Sequence, residues 1–147
     1  MKPTSSEFAA NPTGHLSDVL SVTISPNGQL IASGGRDGRL LLWDVRTDSV
    51  VHQFRGHRGP INALACRRDV SIDTSRGDGN GHVELYSASA DRTARVWDLE
   101  QRGYVETLYG HQEAITALDA LTEQLVLSAA EDRTVRLWKV AEETQLL

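Results

Sequence analysis

Cysteine and long apolar runs are scarce in this sequence, and each shortage excludes a class of protein. A single cysteine, Cys66, excludes an internal disulfide and a zinc site built from cysteine pairs, which agrees with a reducing compartment. No apolar run approaches the roughly 18 residues that a membrane span needs. The opening stretch MKPTSSEFAANPT has no apolar core of a signal peptide. We therefore expect an intracellular protein with no membrane partner.

Positive charge is also in short supply. The chain carries 15 lysines and arginines against 20 aspartates and glutamates, for a formal net charge of −5. This balance argues against broad, non-specific attraction to nucleic acid or anionic membranes, but it is compatible with a local basic patch. With 147 residues and 39% hydrophobic content, the chain is long enough for one ordinary domain.

One sequence pattern occurs three times in the chain. The stretches DGRLLLWD (37–44), DRTARVWD (91–98) and DRTVRLWK (132–139) each run from an aspartate to a tryptophan six residues later. A serine lies four residues before each aspartate, and a Gly-His pair lies further upstream in each unit. The Gly-His pairs are 42 and then 54 residues apart, so the second unit contains an insertion.

Local signals predict strands and turns. In the first unit, VLSVTIS, LIAS, RLLLWDV and SVVHQF have the composition of short strands, and SPNGQ is rich in turn residues. YVETLY closes the second unit in the same way. The apolar run 40–43 predicts a strand that is covered on both faces. EQLVLSAAEDR has some helical character, but its register with the other units favours a strand and a turn.

These features resemble the WD-repeat family. A period near 40 to 45 residues with Gly-His and Trp-Asp signatures is typical of a β-propeller with one four-stranded blade per repeat. The resemblance implies an all-β fold of about three four-stranded antiparallel blades in an incomplete ring. The units are a tail at 1–13, blades at 14–55 and 56–109, and a truncated blade at 110–147. Because terminal blades would leave apolar faces open, we expect a fragment of a longer product in an open arc, with a multi-chain ring less favoured.

The resemblance also implies a role for the repeated polar residues. In WD blades the Trp indole bonds the Ser hydroxyl, the Ser bonds the His ring, and the other His nitrogen bonds the Asp carboxylate. Trp can only donate, the carboxylate can only accept, and Ser and His can do both, so the four groups form one satisfied chain. The three tetrads would be His15, Ser33, Asp37 and Trp43; His57, Ser87, Asp91 and Trp97; and His111, Ser128, Asp132 and Trp138.

The same residue types form the triad of a hydrolase, and this alternative has to be weighed. A catalytic triad occurs once, around an exposed nucleophile. Here the trio occurs three times, with the serine inside a predicted strand and a tryptophan as a fourth member, so the pattern favours a structural role. We expect no enzyme activity and no small-molecule substrate. The five histidines lack metal-ligand spacing, so we expect neither a metal nor a cofactor.

Contact residues are expected in two places. Propellers of this kind usually bind partners on the face that carries the Gly-His loops and Asp turns. The candidates there are Arg36, Arg58, Gln112, Glu113 and Glu131. The second place is the insertion at 67–82, whose opening pair Arg67 and Arg68 would contact phosphate or an acidic partner. The alternative is a disordered insertion with two solvated arginines, and its stretch GDGNG (77–81) lacks the context of a phosphate-binding loop.

A narrower resemblance lies within the family. YVETLYGHQEAITALDAL (104–121) and VRLWKVAEETQLL (135–147) are similar to the WD-repeat subunit of the U3 small nucleolar ribonucleoprotein. That resemblance implies a nucleolar scaffold that binds U3 small nucleolar RNA together with a kink-turn-binding protein and other box C/D ribonucleoprotein subunits. Its implied role is in early cleavages that free the small-subunit ribosomal RNA. A generic WD-repeat adaptor for protein partners is the alternative.

Overall fold

A computed structural model describes residues 14–68, 83–120 and 125–139. The expected tail at 1–13, the glycine-rich stretch at 77–81, the rest of the insertion from 69 to 82 and the final residues 140–147 lie outside these ranges. The described part contains strands and turns and no helix.

Eleven strands follow one another along the described chain. They are β1 Val19–Ile24, β2 Leu30–Gly35, β3 Leu40–Asp44, β4 Ser49–Phe54, β5 Ile61–Arg68, β6 Val83–Ser89, β7 Ala94–Asp98, β8 Gly103–Leu108, β9 Ile115–Ala120, β10 Leu125–Ala130 and β11 Val135–Lys139.

The strands form three antiparallel sheets with consecutive strands as neighbours. Two sheets have four strands, in the orders β1-β2-β3-β4 and β5-β6-β7-β8, and the third joins β9, β10 and β11. The prediction of an all-β fold made of antiparallel blades is thereby confirmed, and the ring does not close. In the stretch at 123–133, for which a helix was the competing interpretation, the described residues 125–133 form β10 and the turn after it.

The second sheet has a neighbouring sheet on each side and buries apolar side chains on both faces. Successive residues of its strands point to opposite faces. Leu85 and Trp97 pack against the first sheet, whereas Tyr86 and Val96 pack against the third. Sequence reasoning expected such two-sided burial for the run that begins at Leu40, and Leu40, Leu41 and Leu42 are buried.

Polar contacts and close packing join the innermost strands of neighbouring sheets. Ser21 of β1 donates to the carbonyl oxygen of Ile61 at 3.0 Å, and Asn62 of β5 donates to that of Ile115 at 2.9 Å. A Cβ added at Gly34 would lie 2.5 Å from Cγ2 of Ile61, so the first sheet approaches the second where it has no side chain. Neighbouring sheets are therefore held together by hydrogen bonds from side chains to backbone carbonyls as well as by apolar packing.

Burial of one repeat position differs sharply between the first and third sheets. Leu42 and Leu137 occupy the same place in the pattern, one residue before the tryptophan. Leu42 faces the second sheet and is 0% exposed, whereas Leu137 is 59% exposed on the outer face of the third sheet. Because the local sequence pattern is the same, the difference in exposure between these two leucines reports the packing of one sheet on another.

We predict that Leu42→Ala destabilises the fold by about 2–5 kcal/mol, because it leaves a cavity between two sheets. Leu137→Ala, the matched control, should cost less than about 1 kcal/mol because that side chain is already in water. Urea unfolding followed by tryptophan fluorescence gives both values. Equal losses in the two variants would contradict the packing described here.

Candidate functional site

The repeated polar residues meet at one edge of each sheet. The histidine lies in the loop before the first strand, the serine lies on the second strand, the aspartate begins the next turn, and the tryptophan lies on the third strand. Residues from four separate segments therefore converge, and the edge they form is called here the Gly-His edge. It consists of residues 14–18, 36–39, 55–60, 90–93, 109–114 and 131–134.

In the second sheet the four side chains form one continuous chain of hydrogen bonds. Trp97 Nε1 donates to Ser87 Oγ at 2.8 Å, Ser87 Oγ lies 2.7 Å from His57 Nε2, and His57 Nδ1 lies 2.8 Å from Asp91 Oδ2. Because the carboxylate can only accept, we assign the ring proton of neutral His57 to Nδ1. Ser87 then donates to Nε2, and every member of the chain is satisfied.

The third sheet repeats this geometry closely. Trp138 Nε1 donates to Ser128 Oγ at 2.8 Å, and His111 bridges from Ser128 at 2.7 Å to Asp132 at 2.9 Å. The same three contacts therefore occur in two sheets and are not confined to one site.

The first sheet departs from this geometry at one contact. His15 Nε2 and Trp43 Nε1 each lie 2.7 Å from Ser33 Oγ, as in the other sheets. However, His15 Nδ1 lies 3.5 Å from Asp37 Oδ1 and has no hydrogen-bond partner among the described residues. The implied His–Asp hydrogen bond is therefore missing from this tetrad.

A threonine explains the difference between the sheets. Thr93 Oγ1 donates to Asp91 Oδ1 at 2.6 Å, and Thr134 Oγ1 donates to Asp132 Oδ1 at 2.5 Å. This hydroxyl fixes one carboxylate oxygen and leaves the other to face the histidine. The first sheet has Arg39 at the same position, and its guanidinium reaches instead to the carbonyl oxygen of Gly14 at 2.6 Å.

The absence of a side chain at Gly35 also leaves room for the Asp37 carboxylate to take a different position. A Cβ added at Gly35 would lie 2.3 Å from Asp37 Oδ1 and 2.6 Å from His15 Nδ1. The other sheets have Ser89 and Ala130 at this position, so their carboxylates cannot occupy that space. Sequence reasoning missed the threonines and this glycine, although the string DRT in two of the three repeats carried the signal.

Hydrogen bonding shifts the ionisation of the aspartates in the two complete tetrads. Burial acts to raise the pKa of Asp91, but the hydrogen bonds from His57 and Thr93 outweigh it and hold that pKa well below its usual range. At Asp132 the hydroxyl of Thr134 is the largest cause, and the pKa is again held well below its usual range. Both carboxylates are therefore charged acceptors at neutral pH.

The serines are badly placed to act as nucleophiles. Ser87 is 0% exposed and accepts the indole N–H of Trp97, so a substrate carbonyl has no approach to its Oγ. Ser33 and Ser128 are also buried. Burial raises the pKa of the Cys66 thiol to about 12, so a reactive thiolate is not available there at neutral pH. Within the described ranges, no group of three His, Cys, Asp or Glu side chains is arranged to hold a metal ion.

The contact candidates on the Gly-His edge are exposed. Arg58 and Gln112 directly follow the histidines of the second and third sheets, and their backbone N–H groups donate to Asp91 and Asp132 at 3.0 and 2.9 Å. Both side chains are exposed, and the side-chain amide of Gln112 also donates to the carbonyl oxygen of Gly110 at 3.3 Å. The remaining exposed candidates are Arg36, Glu113 and Glu131.

Arg67 requires a correction. It was expected as a surface contact for phosphate or an acidic partner, but its side chain is only 5% exposed, and Nη2 donates to Glu84 Oε2 at 2.9 Å. The hydroxyl of Tyr86 also donates to Glu84, and the Arg67 guanidinium lies over the Tyr86 ring. Arg67 thus belongs to a buried polar cluster of the second sheet. Nothing is described for the side chain of Arg68.

The members of this cluster affect one another's ionisation. Burial, followed by the hydrogen bond to Glu84, raises the pKa of Tyr86 above its usual value. Burial and the neighbouring charge of Glu84 also raise the pKa of Glu106. Sequence reasoning missed the cluster because its partners come together only through strand pairing, with Arg67 directly opposite Glu84.

Removal of one tetrad hydroxyl gives a direct test of the hydrogen-bond chain. We predict that Ser87→Ala costs roughly 2–4 kcal/mol, because it leaves the buried Trp97 N–H and His57 Nε2 without partners. The Ser87→Ala/Trp97→Phe double variant should lose less than the sum of the two single losses, since no indole N–H then remains unpaired. Strict additivity in urea unfolding would show that the two groups are not coupled.

The pH dependence of stability tests the lowered pKa of Asp91. Because the folded-state pKa of Asp91 lies below its unfolded value, its stabilisation is complete above about pH 4 and is lost as the pH falls through the folded-state pKa. Asp91→Asn should therefore be less stable than the wild type at pH 7, and the gap should shrink between about pH 4 and pH 2. Asp37→Asn is the matched control and should show a smaller gap, because His15 does not bond Asp37. Denaturant unfolding across this pH range measures both, and a gap for Asp91→Asn that is constant with pH would contradict the assignment.

Comparison with known proteins places this geometry in a family. The chain matches the WD domain, G-beta repeat, over residues 6–44, 48–98 and 102–139. It is 38% identical over 135 residues to the U3 snoRNP-associated protein-like EMB2271 of Arabidopsis thaliana, covering 92% of this chain and 26% of that protein. It is 34% identical over 148 residues to Ribosomal RNA-processing protein 9 of Saccharomyces cerevisiae, covering 98% of this chain and 24% of that protein.

A solved structure gives the same result for the fold. The crystal structure of RRP9 WD40 repeats superposes with a TM-score of 0.75 at 40% sequence identity, over 88% of this chain and 36% of that chain. The chain spans about a quarter of the length of the two curated relatives. None of the residues that the structure describes forms a helix long and apolar enough to cross a membrane. Since the repeat matches run through most of its length, the chain belongs to the WD40 repeat family.

Proposed function

We propose that this protein is a non-catalytic scaffold of the U3 small nucleolar ribonucleoprotein that acts in pre-ribosomal RNA processing. The observation that carries the proposal is the similarity to a U3 snoRNP-associated protein and a ribosomal RNA-processing protein along more than nine-tenths of the chain. Its partners in this role are U3 small nucleolar RNA, a kink-turn-binding protein and other box C/D ribonucleoprotein subunits. Its location is the nucleolus.

The buried tetrads support a scaffold over an enzyme. Each serine that a hydrolase would use is enclosed beneath a tryptophan, and the same trio recurs in all three sheets. Repetition serves the shape of each blade, whereas catalysis needs one exposed nucleophile with an oxyanion site beside it. In this proposal the repeats are the blades at 14–55, 56–109 and 110–147, and the Gly-His edge is the surface for partners.

A protein-binding adaptor is the second candidate, and two exposed apolar side chains favour it. Leu16 is 77% exposed and Tyr109 is 71% exposed, and both lie beside Gly-His pairs. Apolar and aromatic side chains that project from a rigid edge are typical anchors of protein interfaces. This function is compatible with the first, because a ribonucleoprotein scaffold also contacts protein subunits.

Co-purified RNA decides between these functions. We predict that the protein, tagged at its own locus and purified under native conditions, is strongly enriched in U3 small nucleolar RNA. The measurement is sequencing of the bound RNA, with an untagged strain and an unrelated tagged WD-repeat protein as controls. Recovery of stable protein partners without enriched U3 RNA would reject the ribonucleoprotein role and support the adaptor.

A further inference from the structure

Three turns on the Gly-His edge make up one continuous surface between the first and second sheets. A Cβ added at Gly38 would lie 3.3 Å from the carbonyl oxygen of Gly59, so the Asp turn of the first sheet touches the Gly-His loop of the second. Within the second sheet, Ala90 N donates to the Pro60 carbonyl at 2.9 Å. Residues 36–39, 56–60 and 90–93 are therefore adjacent and are called the arginine sector.

The arginine sector differs in charge from the same edge of the third sheet. It contains four arginines and two carboxylates, and both carboxylates are the inward-facing tetrad aspartates. The corresponding residues 110–114 and 131–134 contain three carboxylates and one arginine. A chain with a formal net charge of −5 thus has a local positive surface at one boundary between blades.

Three of these arginines are exposed on backbone that is held in place. Arg58 is anchored through its N–H to Asp91 at 3.0 Å, and Arg92 follows Asp91 with φ of 76°. Within the described ranges, the side chains of Arg58 and Arg92 form neither a hydrogen bond nor an ion pair. Arg36 pairs with Asp18 at 3.3 Å, but both side chains are mostly exposed and such pairs are weak.

The chemistry of this surface fits a phosphate backbone better than a protein. Arginine presents a planar set of N–H donors that matches phosphate oxygens, and the guanidinium is charged at every physiological pH. None of the exposed large apolar side chains lies within 36–39, 56–60 or 90–93. The exposed Leu16 borders the sector through its backbone N–H, which donates to Asp37, but it lies in the first sheet's own Gly-His loop. The sector itself therefore lacks the aromatic or aliphatic anchor that protein interfaces use. An array of fixed cations without an apolar anchor suits a polyanion.

From these observations we infer that the arginine sector binds the RNA phosphate backbone, with Arg58 and Arg92 as the principal contacts and Arg36 as a weaker one. The inference rests on the proposed function, which supplies the RNA. It also assigns the third sheet's Glu113 and Glu131 a different role, because their carboxylates repel phosphate, and the neutral Gln112 lies beside them.

The repeats themselves supply substitutions that preserve the fold. Gln112 occupies the position of Arg58 in the third sheet, and Gly38 occupies that of Arg92 in the first. Arg58→Gln/Arg92→Gly therefore introduces only residues that the same turns already accept, and glycine is well suited to the positive φ at 92. Arg46→Ala/Arg102→Gly removes the same charge from turns at the opposite edge and is the matched control.

The experiment measures the affinity of the purified protein for fluorescently labelled U3 small nucleolar RNA transcript at several salt concentrations. For Arg58→Gln/Arg92→Gly we expect roughly tenfold or greater weakening near 0.15 M salt, and a log–log salt slope shallower by about 1.5 to 2. Further substitution of Arg36→Ala should add a smaller loss, because Asp18 already offsets its charge. The opposite-edge control should bind like the wild type.

The outcomes separate this inference from the proposed function. If the wild type binds U3 transcript above an unrelated transcript of equal length, and the sector variant keeps the wild-type affinity and slope, only the arginine sector is overturned. Equal weakening by the opposite-edge control would also overturn it, because net charge would then explain the effect. If the sector variant instead loses binding to poly-glutamate and keeps RNA binding, the surface serves an acidic protein. A wild type without preference for U3 transcript would overturn both proposals.

Discussion

The fold depends on one serine hydroxyl in each blade. Its oxygen accepts the tryptophan N–H, and its proton completes the hydrogen bond to a histidine that is oriented by a carboxylate, as in Ser87, Trp97, His57 and Asp91. These bonds join a loop, two strands and a turn that apolar packing alone would leave free to shift. Because the serine is fully buried, a missing partner would leave an unsatisfied polar group in a low-dielectric interior, and this cost enforces the geometry.

Much of this arrangement follows from the sequence because it is periodic. Apolar alternation, turn residues and the repeated Ser, Asp and Trp positions predict the strands and the all-β fold, and the resemblance supplied the tetrads. The regular repeat also makes differences between the units hard to predict. Sequence reasoning treated the three units as equal, yet Asp37 lacks the threonine and the neighbouring Cβ that position the other two aspartates, so its contact with His15 is longer.

Contacts that depend on which residues pair across a sheet could not be predicted from the sequence. Arg67 begins a polar segment and reads as a surface arginine, but its neighbour across the β5–β6 pair is Glu84, 17 residues away in sequence. Strand register decides whether such a residue is solvated or enclosed, and a long insertion between the strands removes the local signal that would set the register. Composition and motifs therefore predicted the strands and tetrads better than they predicted whether an individual charged side chain is buried or exposed.

The separation between buried tetrad residues and exposed edge residues explains how one repeat can bind different partners. Tetrad residues face inward and fix the backbone, while the side chains that directly follow the tetrad histidines are exposed. At the position after the tetrad histidine the chain has Leu16, Arg58 and Gln112, an apolar, a cationic and a neutral polar side chain on the same anchored backbone. Recognition can change at these positions without loss of the fold, since each backbone N–H remains held by its aspartate. Chemical identity on the Gly-His edge is thus set blade by blade, and a boundary between blades can be basic in a chain that is acidic as a whole.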